Sequence, residues 1–146
     1  MPVTLEQANK IIEVALAEAR RMKLPPVGVA VLDPGGYVKA VQCEDGLSFL
    51  RTRICQAKAY SALAMGTHTR HLAHRYESNL RSQGFMSALN AIADIGIVTL
   101  PGGVLIRDRS GGVLGAVGIS GAASEDDEAC AVKGIEALGY PVDLNA

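Results

Sequence analysis

The 146-residue sequence contains no tryptophan, only two phenylalanines and only three cysteines. With so few large rings, the core has to be built from small aliphatic side chains, and the abundant alanine and 16 glycines fit that expectation. Cys43, Cys55 and Cys130 are odd in number and lack CxxC spacing or a following histidine. That excludes a disulfide scaffold, a zinc ribbon and a c-type haem attachment site. No apolar run approaches the roughly 20 residues that span a bilayer, and the first residues lack the basic-then-apolar order of a signal peptide. A soluble, cytoplasmic protein is expected. Charge of either sign is also missing in excess: 14 basic against 15 acidic residues leave a net charge of -1. Nothing global draws the chain to nucleic acid or to an anionic membrane, so a small molecule or another protein is the expected partner.

What is present suffices for one core. The hydrophobic content is 49%, and a chain of this length predicts a single domain over residues 1–146. Thr4 followed by Gln7 reads as a capping box, and Leu5, Ala8, Ile12, Ala15 and Ala19 then recur on one face. A first helix is predicted from Thr4 to Met22, stopped by Pro25 and Pro26. "VGVAVLD" (Val27 to Asp33) and "YVKAVQ" (Tyr37 to Gln42) flank a Pro-Gly-Gly turn and predict a hairpin. Ser48 is positioned to cap a second helix, Phe49 to Met65, closed by Gly66 in the left-handed conformation.

From Thr69 to Leu80 the pattern is polar and weakly helical, and Phe85 to Ile92 adds a short turn. "IVTL" (Ile97 to Leu100) then leads to Pro101-Gly102-Gly103. "VLIRD" and "GVLGAVGIS" (Gly112 to Ser120) form a second hairpin around Arg109-Ser110-Gly111. Ser124 is a candidate cap for a last helix, Glu125 to Leu138, with Asp127 in the capping-box position. Helix, hairpin, helices, hairpin, helix predicts an antiparallel sheet covered by helices, an α+β sandwich and not a Rossmann fold.

Three stretches carry a resemblance: "VAVLDPGGYVKAVQCEDG", "QAKAYSALAMGTHT" and "LPGGVLIRDRSGGVLGAVGISGAASEDDEACAVKGIEAL". Together, in this order, they resemble the GlcG/HbpS-like family, also found as the C-terminal domain of PduO-type corrinoid adenosyltransferases. The resemblance covers nearly the whole chain except the polar middle from His71 to Ile97. It implies a profilin-like fold, with an antiparallel sheet of about five strands and helices on both faces. It also implies self-association, and a ligand pocket near a subunit interface, with haem as one ligand of the family. The chain departs from that family at Leu105, where relatives commonly carry proline after "GGV". It departs again at Arg51 and Arg53, near the position where many carry an acid ahead of "QxKA".

Candidate residues follow. Glu125 and Asp126 fit as acids complementing the positive end of a helix. Asp127 and Glu128, which the resemblance places beside the Ser-Gly turn, are candidates to orient a ligand or take a proton. Ser120 lacks the glycine two positions on that a hydrolase elbow needs, since Ala122 stands there. Gly102, Gly103 and Gly121, with Ser120, are instead candidates to hydrogen-bond a ligand carboxylate or carbonyl. Lys58, among alanines, either reaches out to solvent or pairs with a ligand anion, and Arg51 lies about two turns before it. His68, His71 and His74 are the only histidines. On a helix they spread over about 120° and climb about 9 Å, so neighbours can share a metal and the outer pair cannot. His68 and His71 are the haem-ligand candidates, with Arg70 and Arg75 as partners for propionates.

Two functions are therefore expected: a homo-oligomeric protein binding an anionic ligand such as haem, or a cofactor-independent isomerase, hydratase or lyase. In the second, Asp127 or Glu128 is the base, and Lys58 or Arg51 stabilises an oxyanion.

Overall fold

A computed structural model describes residues 1–146. Helix α1 (Leu5–Arg21) begins with the predicted capping box: the Gln7 amide donates to Thr4 Oγ1 at 3.1 Å and the Thr4 amide to Gln7 Oε1 at 3.0 Å. Strands β1 (Gly28–Leu32) and β2 (Val38–Cys43) form the first hairpin. Helix α2 (Phe49–Met65) ends at Gly66, whose φ of 70° is the left-handed closure expected there. Ser48 precedes this helix, but its side chain makes no capping bond. The polar middle folds as α3 (Thr69–Ser78) and α4 (Leu80–Ala88), followed by one 3-10 turn (Leu89–Ala91). Strands β3 (Gly103–Arg107) and β4 (Val113–Ser120) make the second hairpin, and α5 (Ser124–Glu136) closes the fold.

The sheet is antiparallel with order β2-β1-β4-β3 and has four strands, not about five. Ile97–Leu100, which leads into the Pro101-Gly102-Gly103 bend, is held by side chains instead of a ladder. The Ile97 amide donates to Asn90 Oδ1 at 2.7 Å and the Val98 amide to Ser61 Oγ at 2.8 Å. The outer edge of β3 is occupied as well. Its Gly103 amide donates to Thr69 Oγ1 at 2.8 Å and its Leu105 amide to His68 Nδ1 at 3.1 Å.

Alternation along β1 splits the core in two. Val29 and Val31 face α1 and α5, where they meet Ile11, Ile12, Val117 and Ile135. Ala30 and Leu32 face α2, where the partners are Cys55, Ala59 and Ala62. A third cluster of Leu72, Met86 and Ile97 ties α3 and α4 to the end of α2. The α2 face is thin because its residues are small, and the thinness is enforced at two glycines. A Cβ at Gly118 would run into the carbonyl of Cys55 and come within 2.6 Å of the Ala59 nitrogen; one at Gly103 would strike the Lys58 carbonyl. Helix and sheet therefore touch backbone to backbone.

At the last helix the capping residue is Ala123, not Ser124, and the helix stops at Glu136 before the expected Leu138. Asp127 is drawn back to accept the Ala122 amide at 3.1 Å, outside any capping box.

Gly118→Ala should cost about 3 kcal/mol or more by forcing α2 off the sheet. Gly84→Ala, inside α4 with open space around the added carbon, should stabilise by up to about 1 kcal/mol. Urea unfolding of the two variants measures both.

Candidate functional site

Close approach of α2 to the sheet brings the Lys58 side chain under the ends of β3 and β4. Its ammonium donates to the Ile119 carbonyl at 2.8 Å and to Asp127 Oδ2 at 3.2 Å. Lys58 is 2% exposed and Asp127 0%. The second carboxylate oxygen of Asp127 accepts the Ala122 amide, so the pair spans α2, the end of β4 and the first turn of α5. Gly102, at φ +124°, lies directly over the pair: a Cβ there would stand 2.7 Å from Lys58 Nζ. Its carbonyl accepts the Ile119 amide at 3.0 Å, which sets the bend at 101–103 beside the one at 120–122.

Burial disfavours both charges. It pushes the Lys58 ammonium below its usual range and the Asp127 carboxyl above its own, and each charge partly offsets the penalty on the other. A buried pair with opposed shifts of this kind is a candidate for proton chemistry as well as for a structural ion pair. Arg51 adds a third charge at the rim. It is exposed, and its Nη1 donates to Ser120 Oγ at 3.3 Å.

Glu128 faces the other way. Arg70 of α3 grips it with two parallel bonds, at 3.0 and 2.7 Å, and the carboxylate is buried. Gly103 is packed under Lys58, and Gly121 against the Pro26 carbonyl, so neither glycine offers open space above its α-carbon. The histidines separate by role. His68 is buried with both ring nitrogens engaged: Nδ1 accepts from Leu105 and Nε2 lies 3.1 Å from the Asp143 carbonyl. That fixes the tautomer with hydrogen on Nε2, and burial holds its pKa below the ordinary imidazole value. His71 keeps a buried Nε2 with no partner, and His74 is exposed. No three His, Cys, Asp or Glu side chains converge as a metal site.

The largest cleft is elsewhere. It measures 640 Å³ and is lined by Phe49, Thr52, Arg53 and Gln56 of α2 together with Asp94 and Ile95. Only Arg53 was singled out from the sequence. A signal for the rest was present, since one of only two phenylalanines stands at the predicted start of a helix, and Phe49 is 88% exposed. A smaller cavity of 160 Å³ lies between His68, Arg107, Arg109 and Asp143.

The family described as "Haem degrading protein HbpS-like" matches residues 3–136. No curated protein matches the chain. Among solved structures, the PduOC:haem complex superposes with a TM-score of 0.85 at 24% identity, covering 97% of this chain and 99% of that one. A double mutant of HbpS from Streptomyces reticuli superposes at 0.80 with 28% identity, covering 95% and 88%. The protein ORFY of Klebsiella pneumoniae gives 0.83 at 23% identity, covering 94% and 90%. No helix is long and apolar enough to cross a membrane.

Removing one partner of a buried ion pair leaves the other charge stranded. Lys58→Met alone should therefore lose about 3–5 kcal/mol, and the double substitution Lys58→Met with Asp127→Asn should recover at least half of it. Denaturant unfolding of both proteins decides whether the pair acts as a unit.

Proposed function

The chain belongs to the HbpS-like family, and from that premise we propose that it binds a planar anionic ligand of the haem class between α2 and Asp94–Ile95. The observation that carries this reading is the composition of the 640 Å³ cleft. Phe49 and Ile95 offer apolar surface to a flat ring, Arg53 a cation for a carboxylate, and Thr52 and Gln56 hydrogen bonds, with Asp94 the one opposing charge. These residues fit the face and the carboxylates of a porphyrin. None of them gives an imidazole, thiolate or thioether to its iron, and His68 is committed to backbone partners. Haem, when bound, supplies an iron centre for oxygen and electron chemistry. The chain's own residues hold the ring and set its orientation. Phe49, Leu50 and Ile92, at 88, 57 and 81% exposure, leave apolar surface for a second copy to cover, so the ligand lies near a subunit interface in this reading.

The test is a comparison of haemin with metal-free protoporphyrin. Both should bind with affinities within a few-fold of each other, Arg53→Glu should weaken both by roughly tenfold, and the triple His→Ala protein should keep the wild-type affinity for each. Haemin binding that is abolished by the histidine substitutions, with protoporphyrin failing to bind at all, overturns the cleft assignment.

The buried Lys58–Asp127 pair favours a second reading, cofactor-independent proton transfer on a small carboxylated or carbonyl metabolite. A substrate entering past Gly102 would meet Asp127 as base, with Lys58 and the rim cation Arg51 stabilising the developing oxyanion. Glu128, held by Arg70, supports α5 in this arrangement and is not the base. Exchange of α-protons of short 2-oxo acids in deuterium oxide, followed by NMR, should occur with the wild type and be lost in the Lys58→Met, Asp127→Asn protein. Absence of exchange with the wild type ends this reading.

A further inference from the structure

Two of the three cysteines face the same small gap. Gly28 at the start of β1 is paired with Cys43 at the end of β2, and from the point where a Gly28 Cβ would stand, Cys55 Sγ is 3.4 Å away and Cys43 Sγ 3.6 Å. The two sulfurs are therefore at most the sum of these, about 7 Å, apart. Because residue 28 is glycine, its side chain places no atom between them; the nearest atom to that point is Leu47 Cδ2, at 2.9 Å, the end of a flexible side chain that borders the same gap.

One residue links the two thiols. Cys43 Sγ lies 3.1 Å from Thr52 Oγ1, and Cys55 Sγ donates to the Thr52 carbonyl at 3.1 Å. Their environments are opposite: Cys43 is exposed at the end of an edge strand, whereas Cys55 is buried against the α2 face of the sheet. Cys130 lies on α5 in the core on the opposite face, with the sheet between, and cannot compete for either partner.

We infer that Cys43 and Cys55 form a reversible intramolecular disulfide when the protein meets a two-electron oxidant such as hydrogen peroxide. Exposed Cys43 reacts first. Its sulfur attacks one peroxide oxygen, the O–O bond breaks, and the products are a sulfenic acid on Cys43 and one water. Cys55 then attacks that sulfur. The S–S bond forms, the S–O bond breaks, and the hydroxide leaves as a second water carrying the Cys55 proton. Two thiols and one peroxide give one disulfide and two waters.

Burial pushes the Cys55 thiol up to about 12, which leaves the first attack on peroxide to the exposed Cys43; Cys55 has to give up its proton as it attacks the sulfenic sulfur, so the second step is the slower one. A disulfide needs Cα atoms within about 7 Å and sulfurs about 2 Å apart, so the bridge requires Cys43, on the exposed end of β2, to rotate toward Cys55. The bridge would tie down residues 44–54, which carry Phe49, Arg51 and Arg53.

The full-length protein is treated with one equivalent of hydrogen peroxide, unfolded in an alkylating reagent, digested and weighed. The expected result is loss of two of three alkylatable thiols, a Cys43–Cys55 linked peptide lighter by two hydrogens, and full recovery with dithiothreitol. Cys130 stays alkylatable. Cys43→Ser, at an exposed position, should leave Cys55 fully alkylatable after peroxide, and Cys55→Ser should leave a Cys43 sulfenic acid that dimedone traps. The inference is overturned if Cys55 remains alkylatable in wild-type protein whose Cys43 is oxidised, or if Cys43 links only to the Cys43 of another chain.

Discussion

Contact of backbone with backbone between α2 and the sheet is the constraint on which the remaining geometry rests. Glycine at 103 and 118 removes the side chains that would hold the helix away, and Ala57, Ala59 and Ala62 keep the helical surface equally low. The gain is dense packing over a face that holds few large residues. One consequence falls on Lys58. At an ordinary helix-to-sheet distance its stem would have room to turn outward; here it runs beneath β3 and β4, and its charge has to be met inside.

Asp127 meets that charge, and its position at the first turn of α5 is what makes the arrangement sustainable. A carboxylate there accepts a backbone amide and lies at the positive end of a helix. The pair also joins the two layers. Lys58 belongs to the helix on one face and Asp127 to a helix on the other, and they meet around the end of the sheet. The Arg70–Glu128 bridge repeats the connection one residue on, from α3 to α5. Adjacent acids on one helical turn thus bind two different elements, which orients α5 more tightly than its modest apolar face would.

Much of the local architecture was legible because it is written in near neighbours. The Thr4–Gln7 box, the Gly66 stop and both hairpins depend on residues within a few positions of each other. The start of α5 was misread for a physical reason: Asp127 has the spacing of a capping residue, but a buried lysine from 69 positions away competes for it. The resemblance implied about five strands and the sheet has four; ahead of β3 the amides of Ile97 and Val98 are taken by Asn90 and Ser61, partners no local pattern reveals. At the site, Lys58 and Asp127 were each visible as chemistry-bearing residues, but their bond to each other was not. His68, a haem-ligand candidate by residue type, engages backbone partners with both ring nitrogens, contacts that no local pattern reveals. The cleft under Phe49 escaped notice because Asp94 and Ile95 come from a segment without periodicity, brought to α2 only by the fold.

The occupied margin of β3 has a bearing on how copies can meet. His68 and Thr69 satisfy the outward amides of Leu105 and Gly103, so that side of the sheet offers nothing to an incoming strand, while β2 remains the bare side. Endless cross-chain sheets require every subunit to present two open margins. A subunit with one can join a single neighbour through its strands and then has no valence left, so fibrillar growth by this route terminates at the pair.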